Sequence, residues 1–155
     1  MTAEARLVEL GIELPDVFPP AGLYVGAVRS GDLLFLSGAG PVRADGTIVT
    51  GKVGGTVEPD DGREAARLTG LQLLVTMRAQ LGSLDRVARV VKIFGMVNGA
   101  PGFNRTPFII DGCSQLFIDV FGETGRAARS AVGMAELSFD IAVEIEAVVE
   151  VLPDP

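Results

Sequence analysis

The chain is predicted to adopt an α+β fold, and three observations carry that prediction. Its 155 residues suit one domain, and the elements along them run β-β, then α-β, then α-β-β. Only two segments have strong helical character, and two helices cover one face of a sheet. The other face is then either polar or buried against another subunit. The last strand alternates, with Val143, Ile145, Ala147 and Val149 on one side and Glu144, Glu146, Val148 and Glu150 on the other.

The elements follow in order. Residues 2–11 read as a short helix with Leu7, Leu10 and Ile12 on one side. Pro15, Pro19 and Pro20 make the next stretch, up to Gly22, an extended entry segment. Residues 24–28 and 33–38 pair as a β-hairpin across the turn chemistry of Ser30-Gly31-Asp32. The glycine-rich residues 39–56 carry Ala44-Asp45-Gly46-Thr47, a second hairpin turn or a surface loop. Residues 59–82 are the best helix. Pro59 stands at its start, Asp60, Asp61 and Glu64 favour the positive end of its dipole, and Gly82 stops it. Leu71, Leu74, Val75 and Leu81 share one side, and Thr69, Gln72, Thr76 and Gln80 form a polar stripe on the other.

Residues 87–97, rich in β-branched side chains, predict a long strand that Asn98-Gly99-Ala100-Pro101-Gly102 ends. Cys113, Leu116, Phe117, Val120 and Phe121 mark a second helix ending near Phe121. Pro107 behind Thr106 offers one start for it, and Asp111-Gly112 a later and better one. Residues 122–125 are a loop, and strands at about 129–138 and 142–151 close the chain.

Composition excludes several kinds of chemistry. The chain has 13 Lys and Arg against 20 Asp and Glu, a net charge of −7, and no histidine. An electrostatic nucleic-acid surface needs clustered cations, so no nucleic-acid partner is expected. Without histidine there is no Ser-His or Cys-His nucleophile pair and no histidine-ligated zinc. With Cys113 as the one cysteine there is no thiolate zinc cluster and no internal disulfide. No metal and no cofactor are expected. Gly51-Lys52-Val53-Gly54-Gly55-Thr56 lacks phosphate-loop spacing and reads as a surface or subunit-contact loop. The apolar runs are too short to span a membrane, the start of the chain does not read as a secretion signal, and a single cysteine fits a reducing cytosol, so the expected location is cytoplasmic. The mean hydropathy of +0.39 is high for a soluble chain and points to apolar subunit contacts.

Four pieces of sequence bear on function: Tyr24-Val25, Leu36-Ser37-Gly38, Ala128-Arg129-Ser130-Ala131-Val132, and Val143-Glu144-Ile145-Glu146-Ala147. On these the chain resembles the RidA/YjgF family of reactive-intermediate imine deaminases, also labelled L-PSP endoribonuclease-like. Its most specific part is A-R-S-A-V followed by an E-x-E-A strand in which Glu144 stands fifteen residues after Arg129. The resemblance implies a chorismate-mutase-like α+β fold, a six-stranded mixed sheet with two helices on one face, and a homotrimer whose sheets form a central barrel. It implies one domain over 1–155 with residues 1–22 as an N-terminal extension, and clefts at the subunit interfaces. There Arg129 would bind the carboxylate of an imino or enamino acid, Glu144 would position water, and Tyr24, Ser37, Gly38 and Ala131 would shape the site. The family commonly has an asparagine where counting back from Arg129 reaches Gly112, and the segment through Cys113 and Ser114 also departs from the usual pattern.

Each of these residues also admits a plainer role. Arg129 is either a bidentate carboxylate anchor or one half of an ion pair with Glu144 or Glu136. Glu144 either orients water, held ionised by Arg129 with its pKa lowered, or is a solvated strand residue like Glu146 and Glu150. Tyr24, the only tyrosine, closes the cleft or is an amphipathic interface residue. Ser37 is a site hydroxyl or a turn residue. Cys113 sits in the first turn of its helix, where its amide and that of Ser114 receive an anion, or it is a small buried apolar residue. Hydrolytic deamination of 2-imino and 2-enamino acids to 2-keto acids and ammonia is the expected activity. Non-catalytic binding of a small carboxylate-bearing ligand, or a stress-related role, is the alternative on the same fold. RNA cleavage fits the acidic, histidine-free composition poorly.

Overall fold

The computed structural model describes residues 1–154. The first helix, α1 (Ala3–Glu9), is capped by Thr2, whose hydroxyl accepts the Ala5 amide at 3.3 Å. It is docked rather than loose. Leu7 is buried, the Glu4 carboxylate accepts from Arg78 and from the Leu84 amide, and Arg6 Nε donates to the Asp119 carbonyl at 2.9 Å.

Among the described residues the sheet has five strands, where six were expected, and three α-helices accompany it. The strands are β1 (Ala27–Ser30), β2 (Leu33–Ala39), β3 (Val87–Asn98), β4 (Ala128–Met134) and β5 (Val143–Val151), in the order β1-β2-β5-β3-β4. The β3/β4 pair is parallel and the others are antiparallel. The loop at residues 40–57 contributes isolated bridges only, such as Val42 with Ile48 and Thr50 with Ile141, so no sixth strand forms among the described residues. The β2–β5 register slips between Leu36 and Ala39, which opens the sheet at Ser37 and Gly38.

The helix α2 (Pro59–Leu81) ends at Gly82, whose φ of 80° is the left-handed conformation glycine accepts at no steric cost. The first half of the polar stripe of α2 does not face solvent, while Gln80 at its end is exposed. Thr69 and Gln72 are buried, with the Thr69 hydroxyl donating back to the Ala65 carbonyl. The helix packs on the sheet side by side with α3 (Thr106–Phe121), which itself rests on β3 and β4. The second long helix thus starts at Thr106, with Pro107 in its first turn, and not at Asp111-Gly112. Gly112 is an interior residue there because α2 crosses above it. A Cβ at Gly112 would lie 2.0 Å from the Arg63 carbonyl oxygen. Gly95 of β3 plays the same part beneath Ile110, which seats α3 on the sheet.

The last two strands are also shorter than expected, because a 3₁₀ turn, Ser138–Asp140, separates them from each other. Phe139 and Asp140 carry φ of 58° and 55°, left-handed values uncommon for side chains of this size. Asn98, the last residue of β3, ties this turn down. Its Nδ2 donates to Asp140 Oδ1 at 2.9 Å, and its Oδ1 accepts from Lys52 Nζ at 2.7 Å. The loop around Lys52 is therefore anchored, and Val53 within it is fully buried.

The core lies between the helices and one face of the sheet, where Val143, Ile145, Ala147 and Val149 are buried beside Ile93 and Val97. The opposite face carries Glu144, Glu146, Val148 and Glu150.

Candidate functional site

The residues singled out by sequence fall into two cavities. A cleft of about 650 Å³ opens at the β2 bulge and is lined by Tyr24, Ser37, Gly38 and Glu144, with Phe18, Gln72, Phe139 and Glu146. The entry segment folds over its rim, where Tyr24 Oη accepts the Ala21 amide at 3.0 Å. The Ser37 hydroxyl donates to the Val25 carbonyl at 2.6 Å, so it fixes the strand entry while its oxygen keeps the capacity to accept. Gly38 leaves the room that the Glu144 side chain takes. A Cβ there would sit 2.9 Å from Glu144 Cδ.

Glu144 is half-buried, and its pKa is raised, first by burial and second by Glu146. That reverses the sequence expectation of a pKa lowered by Arg129. The physical reason is sheet register. Arg129 pairs with Ile93 on β3, and Glu144 pairs with Met96. Residues 93 and 96 stand on opposite faces of a regular strand. Arg129 consequently points toward α3, and Glu144 points the other way. The lining of the cleft includes neither Lys nor Arg.

Arg129 belongs to a second cavity, of about 360 Å³, with Arg63, Asp111, Ser114 and Arg126 in its lining. Its Nη1 donates to Asp111 Oδ1 at 2.7 Å and to Ser114 Oγ at 3.1 Å. Asp111 is thus its ion-pair partner, in place of Glu144 or Glu136. Glu136 lies 4.0 Å from Lys52 instead. Arg63 and Arg105 stack on the ring of Phe108, at 4.9 and 4.5 Å from its centroid.

The remaining candidates line neither cavity. Ala131 lies at the seam of β4 and α3, where its carbonyl accepts from the Thr106 hydroxyl at 3.0 Å. Gly112 is packed in the helix crossing. Cys113 is wholly buried in mid-helix, and burial pushes its thiol up to about 12. Because α3 begins at Thr106, the amides of Cys113 and Ser114 are inside the helix and are not free to receive an anion. Among the described residues, no group of three or more His, Cys, Asp or Glu is placed to hold a metal. Sequence reading missed Gln72 and Phe139. The polar stripe of α2 was a signal for the first, and the left-handed turn that presents the second has no residue signature.

This arrangement coincides with a known family. Residues 4–140 match the family model described as "YjgF/chorismate_mutase-like, putative endoribonuclease". A curated relative, Protein TCP17 from Trypanosoma cruzi, is 46% identical over 147 residues, covering 94% of this chain and 92% of its own length. A solved structure described as a putative endoribonuclease, from Shewanella oneidensis, is 28% identical with a TM-score of 0.93 over 97% of this chain and all of its own. TdcF from E. coli, solved with bound serine, is 25% identical with a TM-score of 0.63 over 89% of this chain and 95% of its own. The chain belongs to the YjgF family, with its chorismate-mutase-like α+β fold.

Proposed function

We propose that the protein hydrolyses 2-imino and 2-enamino acids to 2-keto acids and ammonia, at clefts that two copies of the chain build together in a homotrimer. One observation carries this reading. The guanidinium suited to anchor a carboxylate and the carboxylate suited to handle a proton point to opposite faces of one sheet and line different cavities. Either cavity alone lacks half of the chemistry. The sheet ends in β4 on one side and β1 on the other, and in this reading the copies join head to tail, with the Arg129 cavity of one facing the Glu144 cleft of the next. Val28 and Phe35, apolar and exposed on the hairpin, supply surface for such a contact. The serine bound to TdcF is a ligand of the same chemical kind.

In this reading Arg129 takes the substrate carboxylate and fixes the imine carbon within reach of a water held by Glu144. Glu144 accepts a proton as the water oxygen bonds to that carbon, and the proton goes to nitrogen. The hydroxyl proton of the resulting carbinolamine then passes through Glu144 to the nitrogen as the C–N bond breaks and the C=O bond forms, releasing ammonia and leaving the keto acid. A carboxylate whose pKa is raised by burial is a better proton acceptor than an ordinary one.

The Asp111 contact supports a second reading, ligand binding without turnover, because an incoming carboxylate has to share Arg129 with Asp111. The test is to generate iminopyruvate in situ and follow its loss with wild type, Arg129→Ala and Glu144→Gln. Loss accelerated by wild type and slowed in both variants supports the deaminase. Absence of acceleration by wild type removes it, and a monomer in native mass measurement removes the shared cleft.

A further inference from the structure

We propose that the Glu144 cleft contains a side-chain subsite for an aromatic ring bearing a hydroxyl, with Gln72 as the group that recognises the hydroxyl. The proposal rests on the deaminase reading only in that the ligand's carboxylate is held by Arg129 of a neighbouring copy. Gln72 is 4% exposed and is one of the residues lining the cleft. Its Nε2 is buried with no hydrogen-bond partner among the described residues. A buried amide left unpaired is costly, and a ligand atom recovers the cost once the carboxamide turns to present its nitrogen to the cleft. A hydroxyl both donates and accepts, so it satisfies the carboxamide whichever way the amide is turned.

The walls specify the rest of the side chain. The chain has nine aromatic residues, 8 Phe plus 1 Tyr, and Phe18, Tyr24 and Phe139 of these line this one cleft. Phe139 is 75% exposed and is held at φ 58°, ψ 19°, a conformation that a bulky residue adopts only when its surroundings compel it. A volume of about 650 Å³ also far exceeds what a three-carbon acid fills. Glu144 and Glu146 are the only charged groups in the lining, so an anionic side chain is disfavoured and an uncharged one accepted.

The test uses keto acids, which bind without reacting. Pyruvate, phenylpyruvate and 4-hydroxyphenylpyruvate are titrated calorimetrically into the native oligomer. The hydroxylated ring is expected to bind about tenfold tighter than the plain ring, a ratio typical of one recovered buried hydrogen bond. The variant Gln72→Met is expected to bring that ratio to about one while phenylpyruvate binding and the melting temperature hold or rise. Phe139→Ala is expected to weaken both aryl acids and leave pyruvate unchanged. Equal affinities for the two aryl acids in wild type, which needs no variant to fold, overturn the proposal, and so does a preference that survives Gln72→Met. Iminopyruvate hydrolysis measured on the same preparation separates the two readings. Hydrolysis without hydroxyl preference removes this subsite alone, and hydroxyl preference without hydrolysis removes the deaminase alone.

Discussion

Replacing Gly38 by alanine tests the geometry of the cleft with one methyl group. The new Cβ would lie 2.9 Å from Glu144 Cδ, 3.1 Å from Cγ and 3.2 Å from Oε2. Comfortable carbon contacts are about 3.5–4.0 Å, so the carboxyl has to move by roughly 0.6–1.1 Å. The backbone at Gly38 is not in the left-handed region, so alanine is sterically allowed there and the strain falls on the side chain. Glu144 is half-exposed and flexible at its end, and we expect it to yield at a cost of about 1 kcal/mol or less in fold stability. Displacing a catalytic group by about 1 Å costs on the order of 100-fold in rate. Imine hydrolysis by Gly38→Ala is therefore expected to fall about 100-fold in kcat/KM, with a urea midpoint close to that of wild type. A folded variant that keeps its rate within about twofold would refute the role given to the Glu144 position.

The other predictions concern packing, titration and thiol chemistry. Gly112→Ala places a Cβ 2.0 Å from a backbone oxygen that cannot rotate away, and it is expected to lose about 1–3 kcal/mol or more in urea unfolding. Gly133→Ala, whose Cβ would meet nothing nearer than Thr106 Cγ2 at 3.9 Å, serves as the control in the same experiment. Glu144 has a folded pKa above its unfolded one, so its contribution to stability is present at low pH and is lost as pH rises through the folded value. Glu144→Gln should accordingly be at least as stable as wild type at neutral pH while losing activity, and Glu146→Gln should move the acidic limb of the pH–rate profile to lower pH. Cys113, with its thiol near 12 and no exposed surface, is expected to resist iodoacetamide in the native protein and to react on unfolding, as followed by mass spectrometry.

Most of the secondary structure was legible because its signals are local. Pro59 and Gly82 bracket α2, the β-branched run marks β3, and alternation along β5 separates valine and isoleucine from glutamate. The start of α3 was misplaced because Asp111-Gly112 imitates a helix start, and the reason for a glycine at 112 is the Arg63 carbonyl of another helix. The burial of Gln72 was equally out of reach, since a polar stripe normally marks the solvent side.

The sequence by itself determined the fold class, the family, and the two residues, Arg129 and Glu144, on which the proposed chemistry turns. It did so because periodicity, turn chemistry and a short motif are properties of neighbouring residues. Only the tertiary structure decided that these two residues occupy opposite faces of the sheet. Strand register sets the face, and it arises from pairings such as Arg129 with Ile93 and Glu144 with Met96, which join segments far apart along the chain. The pKa of Glu144 follows from the same cause, because the face it occupies removes it from Arg129 and leaves burial and Glu146 to raise it.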